Sequence, residues 1–86
     1  MATNLISTGD TAATSSEVTL ADGASANWAL KSAAQGAEVV IELEDNAGSF
    51  HGIGRLVSTD PAKNIVGPGT YRARRIAGAS CGVFSA

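Results

Sequence analysis

Ala37-Glu38-Val39-Val40-Ile41-Glu42-Leu43-Glu44 alternates its side chains with a period of two. Successive side chains of a strand point to opposite faces, whereas one face of a helix needs a period near 3.6. The stretch therefore reads as a strand despite its glutamates. Ala37, Val39, Ile41 and Leu43 face a core, and Glu38, Val40, Glu42 and Glu44 face outward. Asp45-Asn46-Ala47-Gly48 follows as a turn, and Phe50 to Ser58 returns as a second strand. Gly52 and Gly54 at alternate positions leave one face of that strand bare. Glycines so placed mark a bulge or a close approach by another strand or a large side chain, and Trp28 is the candidate to fill the space.

Upstream, Glu17-Val18-Thr19-Leu20 also alternates, and Ala21-Asp22-Gly23-Ala24 carries the Asp-Gly pair favoured in two-residue hairpins. Ala26, Trp28 and Leu30 then share one side. The pattern predicts a β-hairpin with strands at about 16–21 and 25–31. Trp28, the only Trp, is its core anchor, with an exposed binding platform as the rival reading. Residues 1–16 are rich in Thr, Ser and Ala, and Asn4-Leu5-Ile6-Ser7 alone has the composition of a short strand. They are expected to form a flexible or partner-ordered arm ahead of a domain spanning 17–86.

Downstream, Thr59-Asp60-Pro61-Ala62 is a turn and Lys63 to Val66 a short strand. In Gly67-Pro68-Gly69, proline suits the first central position of a type II turn and Gly69 the second. The next strand begins at about Thr70. Tyr71 and Ala73 face inward and Arg72 and Arg74 outward. Arg75 falls on the inner face near the strand end, where its head reaches water or an acidic partner. Cys81 to Ser85 is the last strand. Short strands about ten residues apart, with no helical period and no repeat, predict an all-β chain: a single small antiparallel β-sandwich, Ig-like or jelly-roll-like, of seven or eight strands.

A chain of 86 residues makes one domain with a small core. Charged residues are 16 % of it, against about 25 % in an average soluble domain. The surface is therefore largely Ala, Ser, Thr, Gly and Asn, and little charge has to be desolvated when another chain covers it. Net charge is −2 at pH 7, which argues against general nucleic-acid binding. Met1 to Asp10 has neither the basic nor the apolar region of a signal peptide, and no apolar run approaches membrane-helix length. The expectation is a protein made in a cytoplasm and used there or packed into something assembled there.

The residues of common catalytic sites do not gather into a motif. His51 and Cys81 lie in no nucleophile signature, and two N/S ligands fall short of a zinc site. Glu42 and Glu44 read as a solvated acidic face, not a glycosidase pair. Neither Gly52-x-Gly54 nor Gly67-x-Gly69 precedes a helix able to cradle phosphate. No catalytic residue, cofactor or metal is predicted. One asymmetry remains: acid gathers at Glu38, Glu42, Glu44 and Asp45, and base at Arg72, Arg74 and Arg75 beside Tyr71. On adjacent strands of one molecule these groups form cross-strand pairs. On separate edges they form complementary patches for head-to-tail rings. Tyr71, Arg72, Arg74, Arg75, Glu42 and Glu44 are the candidate interaction residues. Under the interaction reading, Arg74→Glu weakens partner binding more than it lowers the melting temperature.

The Val18-Thr19-Leu20-Ala21-Asp22-Gly23 segment, the Val39-Val40-Ile41-Glu42-Leu43 strand and the late Gly67-Pro68-Gly69-Thr70-Tyr71-Arg72-Ala73-Arg74-Arg75 strand together resemble small β-sandwich virion proteins of tailed bacteriophages. The resemblance spans about residues 17–85 as a pattern and carries over no defined site residues. It implies a non-enzymatic capsid decoration or cementing role in the virion. It further implies a homo-oligomer, with a trimer among the options, docked on the major capsid protein or other virion subunits. It implies neither a nucleic-acid nor a membrane partner. A ligand- or carbohydrate-binding module using Trp28 or Tyr71 is the second class, and a cytoplasmic adaptor the third.

Overall fold

The computed structural model describes residues 3–86. Among them nine strands follow in chain order: β1 (Thr3–Gly9), β2 (Ala13–Thr14), β3 (Val18–Leu20), β4 (Ser25–Lys31), β5 (Glu38–Glu44), β6 (Phe50–Val57), β7 (Ala62–Val66), β8 (Gly69–Arg75) and β9 (Cys81–Ser85). They form two antiparallel sheets and no helix. One sheet has the order β1-β9-β4-β7. The other has β2-β8-β5-β6, with β3 also pairing β8.

β2 and β3 behave as one strand interrupted at Ser15. β2 pairs with Arg75 and Arg74, and β3 with Tyr71, Thr70 and Gly69. Between them Ser15 takes over the ladder: its N–H donates to Ala73 O at 2.8 Å, and its hydroxyl oxygen accepts from Ala73 N–H at 2.9 Å. With β2 and β3 counted together, only β5 to β6 is a hairpin within one sheet. Every other connection crosses between sheets, and the order 1-9-4-7 facing 2/3-8-5-6 is that of a jelly roll. The all-β sandwich expected from the alternation is the observed fold, in its jelly-roll form.

Three local expectations are corrected. Residues 3–14 are no arm, because β1 pairs along β9 and Ile6 is buried in the core; Met1 and Ala2 lie outside the described residues. The Asp22-Gly23 turn does not close a hairpin: β3 joins β8 in one sheet, while β4 joins β7 and β9 in the other. Asp-Gly specifies a chain reversal, with Gly23 at φ 84°, but whether the flanking strands pair depends on contacts far along the chain. Gly67-Pro68 is a cis peptide, and Gly69 has a positive φ of 156°, far from the roughly 80° that the second central residue of a type II turn needs, so the expected type II turn does not form. The strand after it nevertheless begins at Gly69, one residue from the predicted start.

The glycines of β6 do mark a bulge. Ile41 pairs with Gly54 and Glu42 with Gly52, leaving Ile53 as the extra residue. The bulge turns the two glycines to opposite faces, so Trp28 does not fill their space. A Cβ at Gly54 would meet Ile41 Cδ1, and one at Gly52 would lie 3.1 Å from Val40 Cγ1. Val40 thus packs into the gap at Gly52 and is buried, although it sits on the outer face.

The core lies between the sheets. Trp28, Val39, Leu56, Ala73, Cys81 and Val83 are fully buried, with Ile6, Leu30, Ile41, Ile65 and Tyr71 around them. Trp28 meets Tyr71 edge to face, with ring centroids 6.4 Å apart and an interplanar angle of 81°. The Tyr71 hydroxyl donates to Val66 O at 2.7 Å, satisfying its polar end across the sandwich. Neither aromatic is an exposed platform, so neither offers a ligand a stacking surface.

Candidate functional site

β5 and β8 lie side by side, so the acidic and basic strips meet within one molecule and do not form two separate patches. Glu42 stands directly opposite Arg72, and Val40 opposite Arg74. Both arginines therefore flank one carboxylate on the outer face of the sheet. Arg72 Nε donates to Glu42 Oε1 at 2.7 Å and Arg74 Nε to Glu42 Oε2 at 3.1 Å. Arg72 also stacks on Phe50, its guanidinium carbon 3.9 Å from the ring centroid. The Glu42 side chain is only 9 % exposed, against 31 % for Arg72 and 43 % for Arg74. Burial by itself would raise the Glu42 pKa. The hydrogen bonds and charges of the two arginines outweigh it and hold the carboxyl below its ordinary value.

Arg75 is the inward member of the strip, as its register demands, and is 4 % exposed. Its head meets no acidic partner and turns most of its donors to backbone carbonyls. Its Nε donates to Thr11 O at 2.6 Å, and its Nη1 to Ser7 O at 2.7 Å and Cys81 O at 2.8 Å. These carbonyls belong to β1, to the β1–β2 connection and to β9, where the chain passes from one sheet to the other. The guanidinium is thus a pin for that corner. Tyr71 is committed to the core, and Glu44 lies opposite Phe50 at the end of β5.

Arg74→Glu is therefore expected to act on stability first, contrary to the interaction reading. It would set a second carboxylate against buried Glu42 and remove one of its two donors. A loss on the order of 2 kcal/mol is expected, read as a fall of roughly 10 °C in melting temperature.

Other charges pair locally. Glu38 lies 3.4 Å from Arg55 across β5 and β6, and Lys63 bonds Asp60. Asp45 caps its own turn: Oδ1 accepts from Ala47 N–H at 2.8 Å and Ser49 N–H at 2.9 Å, and Oδ2 lies 2.7 Å from His51 Nε2. His51, then the backbone donors, lower the Asp45 pKa to about 2. Both Asp45 and Glu42 titrate below their ordinary values in the folded state. The stability they contribute is present above the ordinary carboxylate range and is lost as pH falls through the folded values. Melting temperature is expected to hold from neutral pH to about 4.5 and then fall toward pH 2, with a shallower fall in Asp45→Asn.

Cys81 is buried, and burial pushes its thiol up, with the Arg75 charge opposing. Among the described residues no three of His, Cys, Asp and Glu gather as a metal-binding set. The sequence reading missed Ser15, whose role depends on meeting Ala73. No protein family, curated protein or solved structure matches the chain.

Proposed function

We propose that the protein is a non-enzymatic structural subunit of a bacteriophage virion, a capsid decoration or cementing protein that acts as a homo-oligomer on capsid subunits. One observation carries the reading. The sandwich neutralises much of its own charge, with Glu42 between Arg72 and Arg74, Glu38 against Arg55, and Asp60 against Lys63. Apart from Asp10, Glu17, Asp22 and Glu44, acids without an ion pair among the described residues, what remains is a surface rich in small uncharged side chains, which neighbouring chains can cover with few ions to desolvate. The jelly roll adds support by analogy alone, since viral capsid domains and lectins both use it.

The test is co-sedimentation of purified protein with capsids from the phage whose genome encodes it. Saturable binding that raises capsid resistance to heat or chelation is expected. Failure to bind capsids or any virion component, with the protein folded, would discard the proposal in favour of an adaptor or ligand-binding role.

A further inference from the structure

The Arg–Glu–Arg cluster is not charge-balanced: one carboxylate stands between two cations. Each arginine meets Glu42 through Nε, and among the described residues the Nη atoms of Arg72 and Arg74 bond no acceptor. A guanidinium held at Nε has its plane set, while the edge formed by its two Nη groups stays open as a fork.

Neighbouring acids place the excess charge at Arg74. Arg72 lies over Phe50, and Phe50 pairs with Glu44, so that end of the cluster has a second carboxylate close by. Arg74 has uncharged neighbours on both flanking strands, Val40 on β5 and Thr14 on β2. Glu38, further along β5, is turned to Arg55 on β6 at 3.4 Å. Asp10 is exposed near Gly78, whose N–H donates to Asp10 O.

Beside Arg74 the surface opens into a cleft of about 480 Å³, within the ~300–1,000 Å³ of small-molecule sites. Its walls are Ala12, Ala13, Thr14, Ile76 and Ala77. Arg75 borders it too, but its guanidinium is engaged with the corner carbonyls. Neither Asp10 nor any other described acid lines it. Thr14 pairs with Arg74 in the ladder, so both side chains stand on the outer face, and Ile76 is 36 % exposed. The cleft thus joins one cationic fork and one hydroxyl to a wall of methyl groups.

We propose that this cleft binds a carboxylate carried on a short apolar body. The two carboxylate oxygens accept from the Arg74 Nη fork, and the body lies against Ile76 and the alanines. The site rests on the cluster and the cleft, not on the assembly role. Charge selects a carboxylate over a phosphate. An excess of one positive unit matches a monoanion, whereas a dianion would bring its second charge up against Glu42. The walls select an apolar body, since apart from the arginines only Thr14 offers a side-chain hydrogen-bonding group. A free aliphatic acid and the C-terminus of a peptide ending in an apolar residue share this chemistry. Arg74 is 43 % exposed, so solvent weakens the pair, and a dissociation constant of about 1–10 mM is expected.

The experiment is a titration followed by two-dimensional NMR of backbone amides and arginine Nε–H groups, at neutral pH and constant ionic strength. The probes are butyrate, its neutral match butyramide, inorganic phosphate, and N-acetylvaline as the free acid and as the amide. Butyrate is expected to shift the signals of residues 12–14 and 74–77 saturably, and butyramide to leave them in place. Arg74→Gln keeps a polar side chain without the charge and is expected to weaken butyrate binding about tenfold or more. Lys63→Gln removes a cation from the other sheet and is expected to leave binding unchanged. N-acetylvaline binding tighter than butyrate, with its amide inert, would support the site and identify a chain terminus as the source. Butyrate binding at least as tight would support it and identify a free acid. The shift map needs only wild type, so it judges the site even if Arg74→Gln fails to fold. Four results would each overturn the proposal: no saturable shift or shifts scattered over the surface, equal responses to butyrate and butyramide, phosphate binding tighter than butyrate, or undiminished binding in folded Arg74→Gln.

Discussion

Arg75→Met is expected to lower the melting temperature by roughly 12–24 °C, the largest loss of any single change in the arginine strip. The substitution keeps an apolar stem of similar reach but removes every donor from a guanidinium that serves Ser7 O, Thr11 O and Cys81 O. Hydrogen bonds to a charged group contribute about 1.5–3 kcal/mol each, and buried carbonyls left without donors keep their desolvation cost. Removing the buried cation offsets part of this, since its own desolvation disappears. A net loss of about 3 kcal/mol follows, and in a domain of this size each kcal/mol moves the midpoint by about 4–8 °C. Arg75→Lys is expected to fall between, because an ammonium lacks the planar fork that spans three acceptors. Arg74→Gln, on a side chain 43 % exposed, is expected to lose only about 1 kcal/mol. Denaturant unfolding of the three variants checks the order. Equal losses at Arg74 and Arg75 would mean the corner does not depend on the pin.

Side-chain direction was legible because it is a local property. Alternation along Val39-Val40-Ile41 and Tyr71-Arg72-Ala73 predicts which residues face the core, and Val39, Ile41, Tyr71 and Ala73 are buried. The bulge of β6 was legible for the same reason, since glycines at alternate positions weaken a strand wherever it pairs. Pairing is not local. Nothing in Ala21-Asp22-Gly23-Ala24 tells that β3 will meet β8 while β4 meets β7, about 40–50 residues further on. The Thr- and Ser-rich start was misread as an arm because composition does not reveal that β9 offers it a ladder.

The same division holds at the candidate site. Opposite charges on two strands indicate attraction, but only their adjacency makes Glu42 the shared partner of Arg72 and Arg74. An inward arginine is legible as an anomaly, whereas its acceptors are backbone carbonyls and carry no side-chain signature. The cleft beside Arg74 escapes a linear reading for another reason. Its walls come from residues 12–14 and 74–77, which meet only because β2 pairs with β8, and an alanine carries no signal of its own.

Gly67→Ala is expected to be the most damaging glycine substitution in the chain, and Gly23→Ala a milder one. Backbone conformation alone would rank them the other way: Gly23 sits at φ 84°, where a side chain is strained, and Gly67 has no positive φ. Space decides otherwise. A Cβ at Gly23 meets nothing within 4 Å, so its cost is the backbone term, about 1–2 kcal/mol. A Cβ at Gly67 would lie 2.2 Å from Ala21 O and 2.9 Å from Leu20 O, in the corner where the β3–β4 and β7–β8 connections cross together between the sheets. These are main-chain atoms, and no rotamer change moves them away. Relief would pull the two connections apart and break the Gly67 N–H bond to Ala24 O, 2.9 Å long. Overpacking with that bond lost is expected to cost about 3 kcal/mol or more, a large share of the roughly 4–13 kcal/mol available to a domain of this length. Urea unfolding of both variants measures the difference. A Gly67→Ala protein as stable as Gly23→Ala would show that the two connections do not pack against each other in solution, and that the crossing between sheets is held elsewhere.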